Sequence, residues 1–281
     1  MEYSPKKMNE LLEKNDFNFK KKFGQNFIVD ANIIENIVSK SEILPNSLVI
    51  EVGPGAGSLT ACIAKYAKQV LCFEIDTEVK EILEENTKEF NNIDIIFEDF
   101  LKVNLKEVLK KYEYDNLYLI ANLPYYITTP IIIKTIEENI KFDKLVVMVQ
   151  KEVGDRFKAK PKTKDYGSLS VFLNYYYDIS KLMDVSKNVF MPKPNVDSIV
   201  VEFRKKEIEY KVKNEEIFFK LVRDSFKQKR KNLKNNLSNY NLEKIEKVLK
   251  ENNMDLSNRA EELTIEMFIK ISNELGDDFD K

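Results

Sequence analysis

The 281-residue chain contains no histidine and no tryptophan, and it has only two cysteines. Without histidine, Ser-His-Asp and Cys-His nucleophilic catalysis and His-ligated zinc are excluded. Cys62 and Cys72 lie in the apolar middle of predicted elements. For that reason we interpret them as reduced core residues of an intracellular protein and not as a disulfide. Two cysteines also cannot form a structural zinc site alone. Any chemistry must depend on carboxylates, amides, aromatic rings, lysines or a cofactor.

The sequence also lacks an apolar run long enough to span a membrane. The stretch 1–17 matches neither a secretory signal nor an organelle transit peptide, so we expect a cytoplasmic protein. The net charge is only −2, which argues mildly against a nucleic-acid-binding protein. Lysine and arginine nevertheless cluster at 20–22, 158–164 and 227–234. Because local patches set the field at a binding face, RNA stays a candidate partner.

Apolar runs and turn signals alternate along residues 30–206 in the order strand, helix, strand, helix. This order predicts an α/β fold, with a parallel sheet covered on both faces and a last pair of strands that is antiparallel. Within it, a helix is predicted to begin after Thr77 as its N-cap. The pattern from 207 onward is helical, including the basic run 227–234. We therefore predict two domains, 1–206 and 207–281.

Four consecutive predicted strands end in residues that could face a ligand. The sequence Gly-Pro-Gly-Ala-Gly at 53–57 follows the first strand, Glu74 ends the second, Asp99 and Phe100 end the third, and Asn122 ends the fourth. Ligands of open α/β sheets bind outside the carboxyl ends of the strands. The row predicts a nucleoside site, with the Glu74 carboxylate on ribose hydroxyls, Asp99 on an adenine amino group and Phe100 as a flat apolar contact.

The glycine spacing favours one cofactor over another. The third glycine comes one residue earlier than in the dinucleotide fingerprint Gly-x-Gly-x-x-Gly. That spacing favours S-adenosylmethionine, which has no pyrophosphate to be held. A dehydrogenase is the weakest alternative, because no obvious acid or base for hydride transfer is present.

The stretch "NLPY", Asn122 to Tyr125, gains a role beside such a cofactor. The exocyclic amino group of a nucleobase is a poor nucleophile because its lone pair is delocalised into the ring. The Asn122 side-chain oxygen and a backbone carbonyl next to Pro124 could accept the amino hydrogens and aim the lone pair at the methyl group. Tyr125 offers a face on which the base could stack.

Seven motifs carry a more specific resemblance: "KKKFGQNFIVD", "EVGPGAGSLT", "FEID", "ANLPYYITTPII", "VFMPKPNVDS", "FKQKRKNLKNNL" and "NRAEELTIEMF". In this order, over about residues 17–273, they resemble the 16S ribosomal RNA adenine dimethyltransferase family (the KsgA type). The resemblance implies a Rossmann-like class I S-adenosylmethionine-dependent methyltransferase with a small C-terminal all-α domain. It also implies dimethylation of N6 on two adjacent adenosines in the 3′-terminal hairpin of small-subunit rRNA, and a role in subunit biogenesis.

The resemblance further assigns residues. The implied cofactor-binding set is Gln25, Asn26, Ile28, Gly53, Gly55, Glu74, Ile75, Asp99, Phe100 and Asn122. The implied catalytic set is Asn122, Leu123, Pro124, Tyr125 and Phe190. Phe190 would stack on a flipped adenine opposite Tyr125, although taken alone it is more typical of a core residue. The expected RNA contacts are Lys20, Lys21, Lys22, Lys227, Lys229, Arg230, Lys231 and Lys234. We expect a monomer that uses no metal and whose partner is the small ribosomal subunit.

Two alternatives stay open at this point. An Erm-type 23S rRNA adenine methyltransferase shares the fold and the strand-end motif, although "FKQKRKNLKNNL" and "NRAEELTIEMF" point away from it. A non-catalytic RNA-binding assembly or transcription factor could use the same fold. The intact Asn122, Pro124 and Tyr125 argue against that loss of chemistry.

Overall fold

The computed structural model describes residues 10, 12, 14, 17, 19–20, 25–124, 127–207 and 211–276. A seven-stranded sheet has the order β4-β3-β2-β5-β6-β9-β7, and β1 and β8 form a separate pair. The strands are β1 (Phe27–Ile28), β2 (Ser47–Val52), β3 (Gln69–Phe73), β4 (Ile93–Ile96), β5 (Asn116–Asn122), β6 (Lys144–Gln150), β7 (Tyr177–Val185), β8 (Phe190–Met191) and β9 (Ser198–Lys205).

The sheet confirms the predicted α/β fold. Strands β4, β3, β2, β5 and β6 run parallel, whereas β9 pairs antiparallel with β6. Strand β2 is buried along its whole length, as its continuous apolar run predicts for a central parallel strand. The chain order reverses on either side of β2, which has β3 on one side and β5 on the other. Ligand sites of open α/β sheets lie at such a switch point.

Helices fill the connections between these strands and continue after β9. The α-helices are Ala31–Ser41, Ser58–Ala64, Lys80–Thr87, Leu105–Leu109, Thr128–Glu137, Lys151–Phe157, Ser168–Tyr176, Glu215–Ser225, Leu233–Asn236, Leu242–Lys250 and Ile265–Leu275. Short 3₁₀ turns span Thr77–Val79, Lys187–Val189 and Ala260–Glu262. Within the described ranges, no helix combines the length and the apolar character that crossing a bilayer requires.

The chain divides into two compact units. The first unit comprises the residues up to Gly154 together with Ser180–Lys205, and the second comprises Asp155–Ile179 together with the residues from Lys206 onward. One dividing point therefore lies at the boundary expected from the sequence. The segment 155–179, assigned from the sequence to the first domain, belongs to the second unit. The reason is a shared helical core, in which Phe172 lies 4.9 Å from Phe219 between ring centroids and Tyr175 lies 5.1 Å from Phe218.

Two local predictions were wrong. Asp76, not Thr77, caps the turn before the helix Lys80–Thr87, because its carboxylate accepts a hydrogen bond from the Glu78 N–H. The basic run 227–234 was predicted as helical, but the helix Glu215–Ser225 ends before it, and only the last two residues of the run lie in a helix, Leu233–Asn236. The Asn236 amide stops that helix by donating to the carbonyls of Ser225, at 2.8 Å, and Gln228, at 3.2 Å. Residues 227–231 form an exposed turn.

Residues 25–29, just before the helix Ala31–Ser41, contact two other parts of the chain beside the site. In the 25–29 segment, Phe27 pairs with Met191 and Ile28 pairs with Phe190. The Val29 N–H also donates to the Val189 carbonyl at 2.9 Å. The Phe27 ring packs on Phe17 and Phe19, with centroid distances of 5.9 and 5.2 Å. This segment is therefore fixed against strand β8 on one side and an aromatic cluster on the other.

Candidate active site

A cavity of about 240 Å³ lies at the carboxyl ends of the central parallel strands. It collects nearly all the strand-end residues singled out from the sequence. Its lining includes Gln25, Asn26, Ile28, Gly53, Gly55, Glu74, Ile75, Asp99, Phe100, Asn122, Leu123 and Pro124. Every described residue of the predicted cofactor-binding set therefore contacts one space.

The glycine loop has the conformation that its sequence predicts. Gly53, Gly55 and Gly57 have φ angles of +74°, +54° and +80°, which residues with a Cβ rarely adopt. A Cβ on Gly55 would lie 2.6 Å from Cε1 of Phe27. The loop therefore passes directly against the 25–29 segment, and only a glycine fits between them.

Glu74 is held by the backbone. Its Oε2 accepts the Gly55 N–H at 3.1 Å, and its Oε1 accepts the N–H groups of Ile75 and Asp76, both at 2.9 Å. Burial raises the pKa of Glu74 above its ordinary value, although these amide bonds oppose the shift. Since each carboxylate oxygen has two lone pairs, the two N–H donors fill Oε1, and Oε2 can still accept a ribose hydroxyl.

The residues expected around the adenine all line the cavity. One carboxylate oxygen of Asp99 accepts a hydrogen bond from the Leu101 N–H at 3.0 Å. Phe100 is buried and meets Phe73 edge-on, with ring centroids 5.3 Å apart. Ile75 is 47% exposed and forms the apolar rim of the cavity. This combination of a carboxylate and apolar surfaces suits a nucleobase that carries an amino group.

Sequence reasoning missed Glu51, which also lines the cavity. This carboxyl group is 1% exposed, and burial raises its pKa to about 8. The thiol of Cys72 donates to its Oε2 at 3.9 Å. Nearby, the buried Ser58 hydroxyl lines the same cavity and has no hydrogen-bond partner among the described residues. The signal was present in the sequence, because Glu51 is the one charged residue in the apolar run "SLVIEV".

The charge of the lining decides which cofactor fits. Among the described residues that line the cavity, the acidic side chains are Glu51, Glu74, Glu98 and Asp99, and no lysine or arginine lines it. A dinucleotide would bring a pyrophosphate into this field and would be repelled. S-adenosylmethionine carries an ammonium, a sulfonium and one carboxylate, so its net charge is positive and suits an acidic lining. When bound, it supplies a methyl group activated by the positive sulfur.

Asn122 is oriented by the 25–29 segment. Its Nδ2 donates to the main-chain carbonyl of Asn26 at 2.9 Å. Because that bond fixes which end of the amide is the donor, the side-chain oxygen is the end left to accept from a substrate. The Pro124 carbonyl already accepts bonds from the Ile127 N–H and the Thr128 hydroxyl, both at 3.1 Å. The Leu123 carbonyl accepts no hydrogen bond from the described residues, so it is the main-chain acceptor that this turn leaves for a ligand.

Some predicted site residues do not line the cavity, and others lie outside the described residues. Phe190 is 4% exposed in the hydrophobic core and does not line the cavity, so its stacking role stays a prediction. Lys20 was predicted to contact RNA, but its ammonium pairs with Asp76 at 2.8 Å and with Glu78 at 2.7 Å. Tyr125, Lys21 and Lys22 lie outside the described residues.

Metal ligation has no candidate in the part of the chain that is described. No group of three or more histidine, cysteine, aspartate or glutamate residues there could hold a metal ion.

The basic residues of the second unit that were predicted to bind RNA are exposed: Lys227, Lys229, Arg230, Lys231 and Lys234.

The switch-point sheet, the glycine loop and the acidic nucleoside cavity define a class I S-adenosylmethionine-dependent methyltransferase. Comparison with known proteins agrees. The family model described as ribosomal RNA adenine dimethylase matches residues 16–277. The chain belongs to the ribosomal RNA adenine dimethylase family.

Curated relatives match over nearly their whole length. The chain is 45% identical to the ribosomal RNA small subunit methyltransferase A of Staphylococcus aureus, over 96% of this chain and 94% of that protein. It is 46% identical to the protein of the same name from Bacillus cytotoxicus, over 97% and 96% of the two chains.

Solved structures show the same fold. A dimethyladenosine transferase from Plasmodium falciparum superposes with a TM-score of 0.73 at 25% identity, covering 87% of this chain and 95% of that chain. The 23S rRNA methyltransferase ErmE gives a TM-score of 0.67 at 24% identity, covering 89% and 99%. The second likeness shows a common fold alone.

The raised pKa of Glu51 leads to a test of cofactor binding. A bound cation favours the ionised carboxylate, so binding of S-adenosylhomocysteine, which carries the ammonium, should release protons below pH 8. Affinity should rise as the pH increases from 6.5 towards about 8, where the α-amino group of the ligand itself begins to lose its charge. Calorimetry in two buffers with different ionisation enthalpies measures the released protons.

Glu51→Gln supplies the comparison for that experiment. The amide is similar in shape and cannot titrate, so both the proton release and the rise in affinity should shrink. An equal release from Glu51→Gln and the unmodified protein would show that Glu51 is not the group that ionises on binding.

Proposed function

We propose that the protein transfers methyl groups from S-adenosylmethionine to N6 of two adjacent adenosines in the 3′-terminal hairpin of small-subunit (16S) rRNA, and that it acts late in subunit biogenesis. The orientation of the Asn122 amide is the observation that carries the chemistry. The names of the curated relatives support the choice of small-subunit rRNA. We extend the proposal to a monomer that acts in the cytoplasm, where its partner is the small ribosomal subunit.

The protein's contribution is to reshape and place a weak nucleophile. The Asn122 oxygen and the Leu123 carbonyl accept the two hydrogens of the adenine amino group. Accepting both hydrogens draws the nitrogen lone pair out of conjugation and directs it at the methyl group. Pro124 fixes the backbone of this turn, so the carbonyl direction is set before the substrate arrives. No strong base is required, because the proton is lost only after the nitrogen has become cationic.

The target adenine must leave its stack to reach this turn, at a cost of a few kcal/mol. Tyr125 and Phe190 are the proposed stacking faces. Phe190 pairs through its backbone with Ile28 in the 25–29 segment. That pairing places the Phe190 backbone beside the segment that covers the cofactor, which supports its assignment to the target-base end.

RNA contact is proposed for a basic patch on the second unit. We define this basic patch as Lys160, Lys162, Lys164, Lys227, Lys229, Arg230, Lys231 and Lys234, all exposed. The two basic runs lie together, because the Lys229 ammonium donates to the Lys164 carbonyl at 3.0 Å. A further hydrogen bond holds the loop 158–164, in which the Lys162 N–H donates to the Glu261 carbonyl at 2.7 Å. A rigid group of cations of this kind suits backbone phosphates.

The substrate is tested by label transfer. We expect radiolabelled S-adenosylmethionine to label unmethylated 30S particles, with N6,N6-dimethyladenosine in the 3′ hairpin of their rRNA. The experiment includes 50S particles and free rRNA in parallel. Label in large-subunit RNA would support an Erm-type activity instead. Cofactor binding without any label would support a non-catalytic assembly factor.

Asn122→Ala should separate transfer from binding. Loss of one hydrogen-bonding group aimed at the reacting atom typically lowers kcat by about 10²–10³-fold, and we expect a loss of that order here. Affinity for S-adenosylhomocysteine should fall much less, because Glu74 and the glycine loop are unchanged. Single-turnover rates and calorimetry measure the two quantities. Equal losses in rate and affinity would contradict the role in orienting the amine.

The basic patch should control the salt dependence of RNA binding. In the triple variant Lys229→Gln, Arg230→Gln and Lys231→Gln, each lost phosphate contact should reduce the slope of log K against log salt by about 0.7–0.9. The measurement is binding of the 3′ hairpin RNA at several salt concentrations.

A matched triple variant serves as the control. It replaces three exposed lysines of the first unit with glutamine, namely Lys106, Lys111 and Lys141. The same change in charge there should leave the slope nearly unaltered. Similar slopes for the two triple variants would mean that net charge, rather than this patch, determines binding.

A further inference from the structure

Asp76 makes contacts that capping a helix does not explain. Its side chain is 2% exposed, although it does not line the cofactor cavity. Oδ1 accepts the Lys20 ammonium at 2.8 Å, and Oδ2 accepts Nε2 of Gln25 at 2.7 Å. Only the third bond, from the Glu78 N–H at 3.2 Å, belongs to the cap. Two of the three bonds therefore reach residues more than 50 positions away in the sequence.

Gln25 is fixed at both ends of its amide. Its Nε2 is bonded to Asp76, and its Oε1 accepts the Lys20 N–H at 2.8 Å. The next residue, Asn26, supplies the carbonyl that holds Nδ2 of Asn122. A single peptide unit therefore separates the residue that Asp76 holds from the residue that orients Asn122.

Asp76 is also joined to the cofactor end of the site. Its own N–H donates to Oε1 of Glu74 at 2.9 Å. Burial alone would raise the pKa of Asp76, but the hydrogen bonds from Lys20 and Gln25 outweigh it and hold the pKa below its ordinary value. The carboxylate is therefore ionised at neutral pH, which strengthens both bonds.

From these contacts we infer that Asp76 is a positioning residue for methyl transfer. By holding Gln25, it fixes the Asn26 carbonyl that orients the Asn122 amide, and through its backbone it ties this arrangement to Glu74. The inference rests on the role proposed above for Asn122. A group misplaced by about 1 Å can lower a rate by about 10²-fold, so loss of this contact should slow transfer even when the cofactor is saturating.

The first experiment is a double-mutant cycle on the single-turnover rate, with unmethylated 30S particles and saturating S-adenosylmethionine. We expect Asp76→Ala and Gln25→Ala each to slow transfer by about tenfold, within the range that misplacement produces. If Asp76 acts through Gln25, the double variant should be no slower than the slower single variant. Rate losses that multiply, or single variants with unchanged rates, would overturn the inference.

Asn104→Ala is the control for a purely structural effect. Asn104 caps the helix Leu105–Leu109 by accepting the Glu107 N–H at 3.3 Å, and it lies outside the cavity lining. We expect this variant to melt at a lower temperature, as Asp76→Ala will, and to retain the full rate. Asp76→Asn keeps the side-chain shape and loses the charge, so it replaces Asp76→Ala in the cycle if the alanine variant does not fold.

A second measurement does not depend on methyl transfer. Hydrogen exchange in the complex with S-adenosylhomocysteine should become faster in the 25–29 segment for Asp76→Ala and Gln25→Ala, and should stay unchanged in β6. Unchanged exchange in the segment would overturn the inference. If the unmodified protein labels no RNA, the proposed function fails, whereas this measurement still decides whether Asp76 fixes the segment.

Discussion

The parallel pairing of β2 with both β3 and β5 is the constraint on which the site depends. Parallel strands bring their carboxyl ends to one edge, and the reversal of chain order beside β2 opens a crevice there. The glycine loop, Glu74 and Asn122 are far apart in the sequence, yet each follows one of these three strands directly. Strand β2 therefore positions the glycine loop, β3 positions Glu74 and β5 positions Asn122. Asn122, the proposed contact to the target amine, lies on the same sheet as the proposed cofactor contacts, so strand spacing rather than flexible loops sets the distance between them.

Electrostatics then selects what this crevice accepts. Two of the carboxyl groups that line it, Glu51 and Glu74, are buried, and charge interactions there are stronger than in water. Backbone amides hold Glu74, whereas Glu51 accepts a hydrogen bond from the weak thiol donor of Cys72. Burial raises the pKa of both groups, but the two carboxyl groups differ in their hydrogen-bond donors. Such a cavity favours a cationic nucleoside and disfavours a phosphate-bearing one.

The sequence allowed much of the site to be predicted, because several of its residues lie at or after the ends of recognisable strands. The glycine loop, Glu74, Asp99 and Asn122 are signalled by local pattern, and the structure brings them together in one cavity. What escaped prediction depends on contacts between distant residues. Glu51 is hidden inside an apolar strand.

Asp76 gains its partner Gln25 only when the 25–29 segment folds back, 51 residues away in sequence. Similarly, the turn at 227–231 depends on Asn236, which ends the preceding helix through its side chain. The same reasoning explains the segment 155–179, whose aromatic residues found their partners among helices much later in the chain. Local periodicity identifies a helix but does not specify which core the helix joins.

The Leu123 carbonyl has a genetic consequence. An acceptor that belongs to the main chain is present whichever side chain occupies the position, so no single substitution deletes it. Scanning mutagenesis will therefore detect the Asn122 side chain but not the Leu123 carbonyl, the other member of the proposed acceptor pair. Substitutions around Pro124 will act only by changing the shape of the turn. A single mutation can remove the Asn122 side-chain acceptor, whereas the Leu123 carbonyl is lost as an acceptor only if the turn itself changes shape.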